Sequence, residues 1–410
     1  MSYRAGMRTL DLDLQLLDDA RLVEEAARHL AEPRAGSADS FVLHAPLELM
    51  ARAALLRMVD PAGRDLARRR IADLVAEHEA YEPLVRTPIP RQEWPDRADA
   101  VSWLVAAIEA GDPDGADVAV GWLATHSTAT ELVSSVADLI VARTSAAGHG
   151  SIFLWLLPRV LAMDPAASTM VRPLVREIAR RPDWELTWMT DSTAGTPTHD
   201  LMQRLLDVPS PGDPGSNFIH PTMSLVERSG LAARLLGPAV AGLELGEARR
   251  DLLRVAAMSM LQDDAANAPY GWSHALTLPQ AALGVAPACA DPRRAVAVAA
   301  TFALGFRATQ AAVALDPIWA PERPTADQID GFLDAGPDAA AATVWHADSA
   351  DLPGLMRRVA THAATHPDAH LAKYTVACLD AARDDPGAGR LFASAAAFLA
   401  GWWRRHDAPA

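Results

Sequence analysis

Leu14-Gln15-Leu16-Leu17-Asp18-Asp19-Ala20-Arg21-Leu22-Val23-Glu24-Glu25-Ala26-Ala27-Arg28-His29-Leu30 sets the class of the fold. Leu14, Leu16, Leu17, Leu22, Val23, Ala26 and Leu30 form an apolar stripe beside Asp18, Asp19, Glu24, Glu25 and Arg28. Steps of three and four put such residues on one face of a helix, whereas a strand would alternate them. The pattern recurs along the chain. Residues 41–58 read as a largely buried helix. Asp60-Pro61 supplies an N-cap and a proline at the first helical position, opening a helix over 62–79. Thr325-Ala326-Asp327-Gln328 has capping-box spacing. Valine and isoleucine never gather into alternating runs between hairpin turns.

These features predict an all-α protein, a large multi-helix bundle of roughly 16 to 19 helices at ordinary lengths. Proline and glycine mark the joints, most clearly Val208-Pro209-Ser210-Pro211-Gly212-Asp213-Pro214-Gly215-Ser216-Asn217, with lesser ones at 87–95 and 316–324. Two helical lobes are expected, 1–207 and 218–410, joined by the 208–217 linker and enclosing a central pocket. No solenoid-type repeat occurs.

The 410 residues suffice for a substantial core, and 50% hydrophobic with 22% charged is a globular composition. A net charge of −15 without a basic stripe excludes a nucleic-acid surface, which needs cations against phosphates. Two distant cysteines, Cys289 and Cys378, provide neither a disulfide framework nor a cysteine zinc site. No apolar run approaches the ~20 residues of a membrane span, and the longest, 295–306, suits a buried helix. The N-terminus lacks a signal-type apolar core. The expectation is a cytoplasmic protein with reduced thiols, and a homo-oligomer is compatible with it.

Lys373 is the single lysine among 37 basic side chains. Arginine dominates as a GC-rich coding background would have it. A retained lysine offers what arginine cannot: a compact ammonium that loses its proton when desolvated. His370 lies about one helical turn before it.

Five histidines stand at or near the start of apolar helical runs: His44, His149, His220, His274 and His370. A ring there can point between helices, where the helix N-terminus and desolvation favour neutral imidazole, fit to act as base, donor or metal ligand. For one such histidine a hydrogen-bonded structural role is the ordinary reading, but five suggest one convergent pocket. His29, His78 and His406 sit among charges and are expected at the surface. His362, His366 and His370 have i, i+4, i+8 spacing, but Pro367 breaks the helix, so that His366 closes one helix or caps the next. Gly-x-Gly-x-x-Gly, the phosphate-binding loop, the Gly-x-Ser-x-Gly elbow and His-Glu-x-x-His are all missing. Trp184, Trp188 and the Trp402-Trp403 pair are expected to serve packing or a subunit contact.

Taken in order, Gly148-His149-Gly150 with Ile152, then His274-Ala275-Leu276-Thr277, then Asp368-Ala369-His370-Leu371-Ala372-Lys373 with Ala377-Cys378, resemble the questin oxidase-like family. Ser151 stands where that family more usually has an apolar residue, and Ala369 where it often has an acidic one. The resemblance implies an oxidoreductase of monooxygenase type, drawing on NADPH and dioxygen. Its expected substrate is a polycyclic phenolic or quinone-like molecule of secondary metabolism, polyketide-like, oxidised in a Baeyer–Villiger or related reaction. On this reading His149, His274, His370 and Lys373 are catalytic, while His44, His220, Thr277, Asp368 and Tyr374 bind substrate. No residue is assigned to NADPH. The spacing requires no metal; if one is bound, His149, His274 and His370 are its ligands. Two competing readings are a metal- or haem-dependent oxygenase using the same histidines, and a non-enzymatic helical ligand-binding or interaction protein.

Overall fold

The computed structural model describes residues 17–34, 40–81, 83–85, 92–162, 165–190, 200–216, 218–240 and 242–407. Leu14 and Leu16 of the first stripe, 87–91 of one joint and Asn217 of the linker lie outside them. The described residues form nineteen α-helices and no strand, with only two isolated bridges, Arg34–Leu84 and Arg143–Glu185. The expected all-α multi-helix bundle is what the chain adopts.

Local signals place the helix ends. Asp18 caps Asp19–Leu30 by accepting the Arg21 N–H at 2.9 Å, and the helix buries Leu22, Val23, Ala26, Ala27 and Leu30. Pro61 opens Pro61–Tyr81, and the Thr325–Gln328 capping box forms on a short helix, Ala326–Asp330. The alanine-rich run at 295–306 is buried within Pro292–Gln310. The break at Pro367 is also present: Leu352–Thr365 ends on His366, whose backbone is extended, and Asp368 caps the next helix, Ala369–Asp384. Of the two roles expected for His366 it takes the first, closing the helix; the cap of the next is Asp368, whose own N–H donates to His366 Nδ1 at 3.0 Å.

His78 departs from expectation. It is fully buried. Lying four residues after Leu74 and three after Val75, it continues the apolar stripe of Pro61–Tyr81, so helix geometry rather than neighbouring charge decides its side. His29 pairs with Glu79 at 2.7 Å, and His406 is exposed.

Residues 208–216 are a largely exposed connector without helix, yet one apolar core runs through both halves, from Leu22 to Ala400. At its centre four helices close a ring. Ser40–Leu55 packs on Gly150–Leu161 and on Ala369–Asp384, and Ser273–Val285 packs on the same two partners. Each half of the chain gives two of the four.

A buried arginine fixes one corner. Arg52, wholly buried, pairs with Glu48 one turn earlier and donates to the carbonyls of Ala363, Ala364 and His366. Those carbonyls end a helix and have no intrahelical donor, so the guanidinium supplies what the helix lacks. Arg70 bonds to Glu48 at 3.1 Å and to the Pro367 carbonyl at 3.3 Å. The 366–368 connector is thereby tied to the helix that carries His44.

Candidate metal centre

Each helix of the ring contributes one histidine. His44 lies on the second turn of Ser40–Leu55, His149 is the residue that precedes Gly150–Leu161, and His274 and His370 are second in their helices. His149 is presented by an unusual turn: Ala146, Ala147 and Gly148 have φ of 54°, 51° and 68°. Left-handed backbone costs L-residues roughly 1–2 kcal/mol each. Such strain concentrates where the surrounding fold holds a functional side chain. Both glycines of Gly148-His149-Gly150 have a reason. Gly148 needs its positive φ, and a Cβ on Gly150 would come within 2.5 Å of Ile140 Cγ2.

The ring nitrogens are sorted by their partners. A carbonyl only accepts, so His149 Nδ1–H donates to Ala146 O at 3.3 Å and His274 Nδ1–H to Tyr270 O. His370 Nδ1–H donates to Asp368 Oδ1 at 3.0 Å. Nδ1 of these three rings is thereby occupied, which leaves Nε2 as the lone-pair nitrogen of each, and those of His149 and His274 meet. His149 Nε2 stands 3.2 Å from His44 Nε2, 3.3 Å from His274 Nε2 and 3.2 Å from Lys373 Nζ. Nitrogens of His44, His149 and His370 all lie within 4.8 Å of one another.

Electrostatics match. Burial, reinforced by Lys373, holds His44, His149 and His370 well below the ordinary imidazole range, and His274 at about 4. Burial also pushes Lys373 down to about 7, although Asp368 and Glu48 pull the other way. The four imidazoles are thus held toward the neutral form, and Lys373 gives up its proton more readily than an ordinary lysine.

This donor set suits a metal. Two nitrogens each about 2.1 Å from one ion sit roughly 3.0–3.4 Å apart at inter-ligand angles of about 90–110°. The His149–His44 and His149–His274 separations, 3.2 and 3.3 Å, fall in that interval. One lone pair facing three nitrogens is over-subscribed as a hydrogen-bond acceptor but well placed beside a cation. Carbonyls and a carboxylate at Nδ1 are the usual supports of metal-ligating histidines.

The cluster opens into a cavity of about 460 Å³ lined also by Ala147, Phe218, Ile219, Tyr270 and Asp368. That size is ordinary for a small-molecule site. Tyr270 O–H donates to Asp368 Oδ2 at 3.2 Å, and its ring stands edge-on to His370, centroids 5.0 Å apart. Burial and Asp368 raise the Tyr270 phenol to about 12. Tyr270 sits in a π-type turn, Ala268–Trp272, whose extra residue per turn lets its carbonyl meet His274.

Of the expected site residues, His44, His149, His274, His370, Lys373 and Asp368 come together. The other three stand apart from the cluster. His220 stacks on Trp184 at 4.0 Å with Nδ1 against Thr144 Oγ1 at 2.7 Å, leaving its neighbour Ile219 to face the cavity. Thr277 bonds back to Ser273 O at 2.9 Å, as mid-helix threonines do. Tyr374 is fully buried beside Cys378. Tyr270, Phe218 and Ala147 were missed. The one local hint was Tyr270 standing four residues before His274, a turn away on the same face.

No protein-family model matches the chain, and comparison with curated proteins and with solved structures finds no similar one. No helix among the described residues is long and apolar enough to cross a membrane.

Proposed function

We propose that the protein is an oxidoreductase, a non-haem metal-dependent oxygenase that oxidises a polycyclic phenolic or quinone-like small molecule. The observation that carries it is the gathering of four imidazoles: His149 Nε2 lies 3.2 Å from His44 Nε2 and 3.3 Å from His274 Nε2, nitrogens of His44, His149 and His370 lie within 4.8 Å of one another, and Nδ1 of His149, His274 and His370 is held by carbonyl or carboxylate. His44, His149, His274 and His370 are the ligands, with Lys373 alongside. Imidazole sets favour late first-row ions such as iron, copper or zinc. When bound, a redox-active ion of this kind supplies one-electron chemistry with dioxygen. The chain itself binds and orients the substrate: Phe218, Ile219 and Ala147 give an apolar wall, and Asp368 with Tyr270 gives a polar edge for a phenol oxygen. The likeness to the questin oxidase-like motifs supports the same substrate class and implies NADPH as ultimate reductant.

The deciding experiment is elemental analysis of purified protein, followed by dioxygen uptake with a hydroxyanthraquinone and NADPH. Stoichiometric metal that His149→Ala abolishes, together with metal-dependent uptake, is the expected result. Full turnover by metal-stripped protein would instead leave the same pocket acting through Lys373 and neutral histidines.

A further inference from the structure

A line of aromatic rings leads away from the histidine cluster. Tyr270 stands 5.0 Å from His370 and 6.3 Å from Trp403, Trp403 stands 5.0 Å from Trp402, and Trp402 stacks on the exposed His406 at 3.7 Å. All contacts from Tyr270 to Trp402 are edge-on, and the last two residues lie on one helix, Gly389–His406. Tyrosine and tryptophan are the side chains most easily oxidised by one electron without leaving the fold, and rings in contact exchange electrons rapidly. We propose that Tyr270, which is itself 53% exposed, and the partly buried Trp403 and Trp402 form a one-electron relay from the histidine cluster to the His406 end of the last helix, through which an external one-electron donor docked there delivers electrons to the site. Use of those electrons by the cluster rests on the metal-centre reading above; the relay itself does not.

The polar partners of the rings fit the steps. When Tyr270 loses an electron to a dioxygen-derived oxidant at the cluster, its O–H bond breaks and the proton passes along the 3.2 Å hydrogen bond to Asp368 Oδ2. A neutral phenoxyl remains. Trp403 then gives Tyr270 an electron, and the proton returns from Asp368. Trp403 Nε1 is buried and without a hydrogen-bond acceptor, so Trp403 parts with an electron alone and becomes a radical cation. Trp402 restores Trp403, and the donor restores Trp402 at the surface beside His406. The sum is one electron from the donor to the oxidant. No Rossmann-type dinucleotide motif occurs in the chain, so an electron path through side chains meets a need that the sequence otherwise leaves open.

The relay is tested in metal-free protein. Cys289 and Cys378 are both buried, so His406→Cys places one exposed thiol next to Trp402 for a ruthenium polypyridyl photo-oxidant. After a laser flash and quench, transient absorption should show a tyrosine phenoxyl. Tyr270→Phe and Trp403→Phe, each in the labelled background, should lose it while keeping the helical circular dichroism. Trp402→Phe provides a second break in the same line. A labelled parent that forms no phenoxyl overturns the relay, as does a phenoxyl of undiminished yield in Trp403→Phe or Tyr270→Phe. Because no metal takes part, failure here strikes the relay alone, and failure to bind metal strikes only the metal centre.

Discussion

Lys373 Nζ lies 3.2 Å from Nε2 of His149, although 224 positions separate the two residues in the chain. The chain's one lysine meets the histidine at the centre of the cluster, with only 1% of its surface exposed. A full ammonium there competes with a metal ion for the same lone pair. The shift of Lys373 to about 7 lets that competition be lost near neutral pH.

Lys373→Arg should abolish turnover while leaving the helical signal intact. Lys373 is only 1% exposed, so a larger planar guanidinium that cannot lose its proton would have to replace a buried compact amine, and overpacking of this kind costs about 1–3 kcal/mol. Steady-state activity and thermal melts measure the two effects separately. Retained turnover would remove the special role given to the lysine.

Asp368→Asn keeps the helix cap but weakens the hold on His370 Nδ1–H. Metal affinity should fall roughly 10–100-fold, as expected for loss of a group that orients a ligand. Titration calorimetry of metal-stripped protein gives the number directly. His149→Ala, by contrast, should eliminate binding.

Acid should destabilise the metal-free protein early. His78, His274 and His362 are held at about 4 by burial, against 6.5 in the unfolded chain. Between those values the unfolded state binds more protons, so stability is complete above pH 6.5 and is lost as pH falls toward 4. Lys373, moved from 10.5 to about 7, adds a second window in which stability rises as pH increases from 7 to 10.5. Each group contributes a slope of up to about 1.4 kcal/mol per pH unit. Urea midpoints across pH 4 to 10.5 would show both windows or refute them.

Ala147→Gly should stabilise the fold. Release of left-handed strain is worth roughly 1–2 kcal/mol and the added freedom of glycine costs about 0.5–1 kcal/mol, so strain wins. Gly150→Ala should do the opposite by about 1–3 kcal/mol, because its Cβ meets Ile140. Melting temperatures of the pair, with metal content, separate strain from crowding.

Arg52→Met leaves Glu48 buried beside Arg70 alone and frees three helix-end carbonyls. A loss of about 3–5 kcal/mol is expected, the usual cost of breaking a buried pair. Chemical denaturation of the variant checks it.

Much of the local structure was legible in the residues. The Thr325–Gln328 box, the helix start at Pro61 and the interruption at Pro367 are effects within a few residues, and each formed where its chemistry pointed. Four of five helix-start histidines met, since a ring on the first turns of an apolar helix is aimed between helices. His220 did not, because stacking on Trp184 offered its ring a better partner than the cavity. His78 was misjudged for a similar reason: adjacent charges in sequence do not say which side of the helix a residue takes.

Sequence alone determined that this chain is helical, where a few of its helices start and stop, and which histidines and lysine stand at helix entrances. Those outcomes follow from periodicity and capping, which act over one or two turns. Only the tertiary structure decided that helices from both halves close one ring, that Lys373 reaches His149, and that Tyr270 and Phe218 frame the cavity. Such contacts depend on how packed faces bring distant residues together, and no local pattern encodes that distance.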